Sequence, residues 1–119
     1  MSRAADKRAR WIRRKRHIRQ SVRGTAERPR LTVYKSNRHT YAQVIDDDAG
    51  RTLVAASNRE KELSSLSNDV SGATQLGESL GKRLADQKIT TLVFDRNGYP
   101  FAGKVQAIAE GVRKAGIRV

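Results

Sequence analysis

"RLTVYKSNRHTYAQVIDDDAGRTLVAAS", residues 30–57 of a 119-residue chain, decides the fold. In "RLTVYKS" the apolar Leu31 and Val33 alternate with Thr32 and Tyr34, and in "TYAQVID" Ala42 and Val44 alternate with Tyr41 and Gln43. A period of two marks a strand with one buried face. "SNRH" and "DDDAG" have the composition of short connections, and "RTLVAAS" supplies a third run. The stretch from Leu31 to Ser57 therefore reads as a three-stranded antiparallel meander.

Downstream, "NREKELSSLSNDVSG" is polar and without sustained period, as in a loop with one helical turn. From Gly72 the spacing becomes helical, with Ala73, Leu76, Leu80 and Leu84 on one stripe. Gly77 and Gly81 lie beside that stripe, where they are expected to let the helix come close to a sheet, each at a helix cost of about 1 kcal/mol. "ITTLVFD" (Ile89 to Asp95) is the short apolar run of a parallel strand buried on both faces. "RNGYPF" turns the chain, Val105, Ile108, Val112 and Ala115 form a second helical stripe, and Gly116 is placed to stop it. A helix between the third and fourth strands permits parallel pairing through a right-handed crossover. The fold expected is α/β: a mixed sheet, the meander plus one parallel strand, with packed helices.

Upstream the composition changes. The chain carries 25 Lys and Arg against 12 Asp and Glu, a net charge of +13. Residues 1–30 hold 12 basic and 2 acidic side chains, whereas residues 31–119 hold 13 and 10. Three parts follow: a basic arm at 1–24, a linker at 25–30, with Gly24 and Pro29 blocking helix continuation, and the α/β domain at 31–119. A polycationic arm asks for a polyanion, nucleic acid first and an anionic membrane second. Among its basic residues only Lys7 and Lys15 are lysines. Arginine's planar fork pairs two-pronged with phosphate and stacks on bases, which favours nucleic acid.

Drawn as a helix from Ala4 to Val22, the arm, with its run "RARWIRRKRHIRQSVRG" (residues 8–24), places Ala4, Trp11, Ile18 and Val22 in a narrow sector surrounded by arginines. A membrane-surface helix needs a broader apolar face. A cleaved transit peptide shares the composition, but an arm that folds along its RNA fits the seam as well as the charge. There is no cysteine, and no stretch reaches the ~18 apolar residues of a membrane span, so a reducing, cytoplasmic setting is expected. Asp46, Asp47 and Asp48 read as a solvated turn, since no calcium-loop spacing follows them, and His17 and His39 have no zinc spacing. No metal, cofactor or small-molecule substrate is expected. A two-metal nuclease needs converging carboxylates, and "LTVYKS" offers none; no enzymatic activity is expected.

"RPRLTVYKSNRHTYAQVIDDDAGRTLVAAS" followed by "VFDRNGYPFAGKVQAIAEGVRKAGI" resembles the bacterial family of the large-subunit ribosomal protein numbered eighteen, which binds 5S ribosomal RNA. The most specific pieces are "NRHTYAQVI", "LVAAS" and "FDRNGY". Family members carry a Tyr-His-Gly-Arg-like run before the last helix where this chain has "FAGK". The resemblance implies a ribonuclease-H-like topology class and a structural role in the cytoplasmic ribosome. That role is to bind 5S rRNA and help attach it to 23S rRNA in the central protuberance, beside neighbouring large-subunit proteins and away from any membrane. A general nucleic-acid-binding or RNA-chaperone module is the alternative.

RNA contacts are expected along the arm from Arg8, Arg10, Arg13, Arg14, Lys15, Arg16, Arg19 and Arg23, with His17 adding hydrogen bonds. The linker and first strand offer Arg28, Arg30 and Lys35. The hairpin "SNRHTY" adds Asn37, Arg38, His39 and Tyr41, a basic and aromatic cluster suited to phosphates and unstacked bases. "FDRNGY" leaves the C-terminal end of a parallel strand, where α/β folds bind ligands, and contributes Arg96, Asn97 and Tyr99; Lys104 follows.

Overall fold

Alternation in residues 30–57 becomes β1 (Arg30–Lys35), β2 (Thr40–Asp46) and β3 (Arg51–Ser57), joined as an antiparallel meander. This computed structural model describes residues 7–14, 23–36 and 38–119. Residues 7–14 are helical (α1). After β3 come a 3-10 turn at Lys61–Leu63, α2 (Val70–Asp86), β4 (Val93–Asp95) and α3 (Gly103–Lys114). The sheet order is β3-β2-β1-β4, with β4 parallel to β1. This is the mixed α/β arrangement expected from the sequence.

Leu31, Val33, Ala42, Val44, Val54 and Ala56 face the helices and are buried. They meet Leu76, Leu80 and Leu84 of α2 and Val105, Ile108 and Val112 of α3 in one core. Each fully buried Leu or Ile contributes roughly 1.5–3 kcal/mol of transfer free energy. The register slips once, between Val44 and Ile45. Beyond that bulge the ladder continues through Ile45–Thr52 and Asp46–Arg51, and the chain then turns at residues 47–50.

Three expectations change. First, α2 begins at Val70 rather than Gly72, because the Asp69 carboxylate accepts the Gly72 N–H at 2.8 Å and caps the helix two residues earlier. Second, Gly77 and Gly81 serve a helix–helix contact, not an approach to the sheet. A Cβ on Gly77 would lie 3.1 Å from the Gly111 Cα and closer still to the Ile108 carbonyl oxygen, while one on Gly81 would meet Ala115 and Val112 of the α3 end. Third, only Val93–Asp95 of "ITTLVFD" pairs with β1, and as an edge strand whose Val93 and Phe94 are half-buried. The residues before it pair elsewhere: Leu92 donates to the Arg118 carbonyl at 2.7 Å and Arg118 donates to Thr90 at 2.8 Å. The C-terminal residues thus pair with the stretch just before β4.

The segment between arm and β1 is tied down. Thr25 donates to the Arg28 carbonyl at 3.0 Å, Asp47 to Gly24 at 3.0 Å, and Val93 to Pro29 at 2.9 Å. Among the described residues no helix is long and apolar enough to cross a membrane.

Candidate nucleic-acid interface

The helices cover one face of the sheet, and the side chains that alternate away from them form the other. β1 contributes Thr32 and Tyr34, β2 contributes Tyr41, Gln43 and Ile45, and a groove of about 470 Å³ runs between them with Arg30 and Asn97 at its border. Tyr34 and Tyr41 are direct cross-strand partners, their rings 5.9 Å apart and tilted by 48°. Tyr34 is 50% exposed, and His39 meets the Tyr41 ring edge-on at 6.4 Å. Exposed aromatic faces of this kind are stacking surfaces for unpaired bases.

A second cluster sits at the Lys35 end of β1. Lys35 Nζ stands 5.2 Å from the centre of the Tyr99 ring, a cation–π contact. The Lys35 amide donates to the Tyr99 hydroxyl at 3.4 Å. Burial raises the Tyr99 phenol above its ordinary value, so it stays a neutral hydroxyl. Trp11 of α1 lies 6.0 Å from the same ring, which brings the arm onto the domain. Lys104 Nζ reaches Asn68 Oδ1 at 3.4 Å, and together with Lys35, Ser36 and Tyr99 these residues line a shallow cleft of about 380 Å³.

The remaining expected contacts fall into distinct settings. Arg8, Arg10, Arg13 and Arg14 on α1 are exposed, as are Arg28, Arg38 and Arg96. Lys35, His39, Tyr41, Tyr99 and Lys104 are half-buried. Lys15, Arg16, His17, Arg19 and Asn37 lie outside the described residues, as do Ile18 and Val22 of the seam. Asn97 is turned inward at 6% exposure: its φ is 55°, its amide nitrogen donates to the Val33 carbonyl at 2.9 Å, and its backbone N–H donates to Asp95 Oδ1 at 2.8 Å. It latches the turn after β4 to β1.

Arg30 is 7% exposed. Its guanidinium donates to both Asp47 oxygens at 3.0 Å and to Asp95 Oδ2 at 2.7 Å. The Asp47 hydrogen bonds raise Arg30 above its ordinary value despite burial, and Arg30 in turn holds the Asp47 carboxyl below the usual range. Arg23 pairs with Asp48 at 2.8 Å. Asp46, 7% exposed, accepts the N–H groups of Asp48 and Ala49 at 3.0 and 3.2 Å. Of the turn read from the sequence as solvated aspartates, Asp48 stays exposed while Asp46 is buried and Asp47 partly so, and all three carboxylates are engaged. Local sequence could not show this, because the partners are the backbone geometry of the turn itself and arginines on other segments.

Sequence reasoning left three nearby side chains out of the contact set. Tyr34 carried a signal, the period-two alternation, but its pairing with Tyr41 depended on register. Phe101, 44% exposed and edge-on to Phe94 at 5.6 Å, presents a further aromatic. Asn68 had no signal in its polar loop.

What the chain resembles agrees with these surfaces. The profile of the family described as ribosomal L18 of archaea, bacteria, mitochondria and chloroplast matches residues 5–119. The large ribosomal subunit protein uL18 of Treponema denticola is 51% identical over 113 residues, covering 95% of this chain and 94% of its own. Its counterpart in Treponema pallidum is 48% identical over 118 residues, covering 99% and 98%, and that of Lysinibacillus sphaericus 47% over 108 residues, covering 89% and 91%. A sheet with an open aromatic face, a docked basic arm and near full-length likeness to these proteins lead to one conclusion: the chain belongs to the ribosomal L18 family, as a structural, non-enzymatic component of the large subunit among the RNA and proteins of the cytoplasmic ribosome.

Proposed function

We propose that the chain binds 5S rRNA and helps attach it to 23S rRNA in the central protuberance. One observation carries the reading. Tyr34 and Tyr41 stand side by side on the sheet face away from the helices, and the basic arm meets the domain at Tyr99, beyond the end of the same strand. Unpaired bases stack on the tyrosines, and phosphates are met by the exposed arginines Arg8, Arg10, Arg13, Arg14, Arg28, Arg38 and Arg96. Lys35, His39 and Lys104 add charge and hydrogen bonds at the rim. In the arm, Lys15, Arg16, His17 and Arg19 extend the phosphate track.

A general RNA-binding module shares the salt dependence: with six to ten phosphate contacts, affinity falls roughly 10³- to 10⁵-fold between about 50 and 200 mM salt. Selectivity separates the two. With the full-length chain at physiological salt, labelled 5S rRNA is expected to be displaced by unlabelled 5S rRNA and poorly by transfer RNA or duplex DNA. Equal displacement by all three removes the 5S reading.

A further inference from the structure

Arg23 and Arg30 frame the root of the basic arm, and one acidic turn holds both. Arg23 reaches Asp48 Oδ1 through Nε at 3.1 Å and Nη2 at 2.8 Å. Gly24 donates its N–H to Asp47 Oδ2 at 2.6 Å, and its carbonyl accepts the Asp47 N–H at 3.0 Å. Arg30 spans Asp47 and Asp95. A Cβ on Gly24 would come within 2.8 Å of the Arg30 Cβ and nearer still to the backbone of Arg30 and Ile45, so the close approach requires glycine. At the opposite end of β1, Trp11 meets Tyr99, whose hydroxyl is bonded to Lys35. The described parts of the arm therefore touch the domain at both ends of β1.

Acidic side chains beside a phosphate-binding arm repel the very ligand that the arm attracts, within a Debye length of about 8 Å at physiological salt. Asp47 and Asp48 sit there nonetheless, and both are spent on the arm root. We infer that Asp47 and Asp48 are positioning residues for RNA binding: they fix the direction in which the arm leaves the domain, and Arg23 and Arg30 serve that clamp rather than meeting phosphate. The identity of the RNA rests on the function proposed above; the clamp itself does not.

The sign of a charge change decides the matter. If the two aspartates only repel RNA, neutralising them tightens binding. If they hold the arm in place, neutralising them weakens it, because ordering a loose arm on RNA consumes affinity. The exposed Arg23–Asp48 pair is the weaker element and the buried, doubly paired Arg30 the stronger. For the full-length chain, Asp48→Asn is expected to weaken 5S rRNA binding by about two- to fivefold and Asp47→Asn by about tenfold. The slope against salt stays unchanged, since no phosphate contact is lost. Arg23→Gln weakens binding like Asp48→Asn, and the charge swap Arg23→Asp with Asp48→Arg restores it.

The single tryptophan, Trp11, gives a second readout without RNA: its fluorescence anisotropy is expected to drop in the Asp47→Asn and Asp48→Asn proteins and recover in the swap. A melting curve confirms that Asp47→Asn is folded at the assay temperature; Asp48, whose side chain is 56% exposed, can be changed without touching the core. Tighter or unchanged RNA binding by Asp48→Asn overturns the inference and returns Arg23 to the phosphate contacts. Should the wild-type chain not prefer 5S over transfer RNA, the functional reading falls while the anisotropy still decides the clamp, unchanged values in Asp48→Asn refuting it.

Discussion

Replacing Gly77 with alanine tests the close approach of α2 to α3. Two effects oppose each other. Alanine is a better helix former than glycine by about 1 kcal/mol, so on an isolated helix the change would stabilise. Here the new Cβ would lie 3.0 Å from the Ile108 carbonyl carbon and 3.1 Å from the Gly111 Cα, with the Ile108 oxygen closer still. All three obstacles are backbone, which cannot swing aside as a side chain can. Ordinary carbon contacts fall at about 3.5–4.0 Å, so α2 and α3 must part by up to about 1 Å along a face that also buries Leu80, Leu84, Ile108 and Val112. Overpacking of this kind costs roughly 1–3 kcal/mol, and the loosened face adds to it. A net destabilisation of about 1–2 kcal/mol follows, equivalent to a fall in Tm of roughly 4–15 °C for a domain of this size. Circular dichroism melts of the full-length chain measure it, with Ser71→Ala on the exposed side of α2 as the neutral control. Gly111→Ala should behave alike, and the double substitution should cost less than the sum, since helices already parted admit the second Cβ cheaply. A raised or unchanged Tm for Gly77→Ala would refute the helix–helix reading of this glycine.

Three further outcomes are expected. Asp95→Ala leaves the buried Arg30 with Asp47 alone and removes the acceptor of the Asn97 N–H, and should lower stability by about 3 kcal/mol in urea titration. Tyr34→Ala and Tyr41→Ala should leave the fold intact while weakening 5S rRNA binding by about 1–3 kcal/mol per lost stacked base; unchanged affinity in both would remove the open sheet face from the interface. Arg30 holds the Asp47 carboxyl below its usual range, so this carboxylate contributes stability above the ordinary carboxylate pKa of about 3.9 and that contribution is lost as pH falls through the depressed folded value. Urea melts from neutral to acid pH should therefore show a shallower acid decline in Asp47→Asn than in the wild type.

The sheet and its buried face could be read in the sequence because a period of two is a local signal: Leu31, Val33, Ala42 and Val44 announced their face before any partner strand was known. The helical stripes at Leu76, Leu80, Leu84 and at Val105, Ile108, Val112 were legible for the same reason. What a glycine touches is not local. Gly77 looked the same whether it met a strand or α3, and only packing chose between them. The apolar run at Ile89–Asp95 misled because composition counts buried residues but not the competing partner, here Arg118. In the interface, residue type pointed to Tyr41, Lys35 and Tyr99, yet the pairing that sets Tyr34 beside Tyr41 required register. Charge was the least informative guide to role: an arginine run advertises phosphate binding, while Arg30 is enclosed by carboxylates from two distant segments.

The ion pair between Arg30 and Asp95 joins positions 65 residues apart, and that separation sets an order of events during synthesis. The arm is made before the domain that anchors it and leaves the exit tunnel ahead of it. Its root is complete only when β4 has been made and paired beside β1. A nascent chain thus displays a loose cationic tail long before it owns an aimed one, and its capacity to attract RNA arrives earlier than its capacity to hold RNA in a defined pose. If the clamp aims the arm as inferred, selectivity matures with chain length, after attraction is already present.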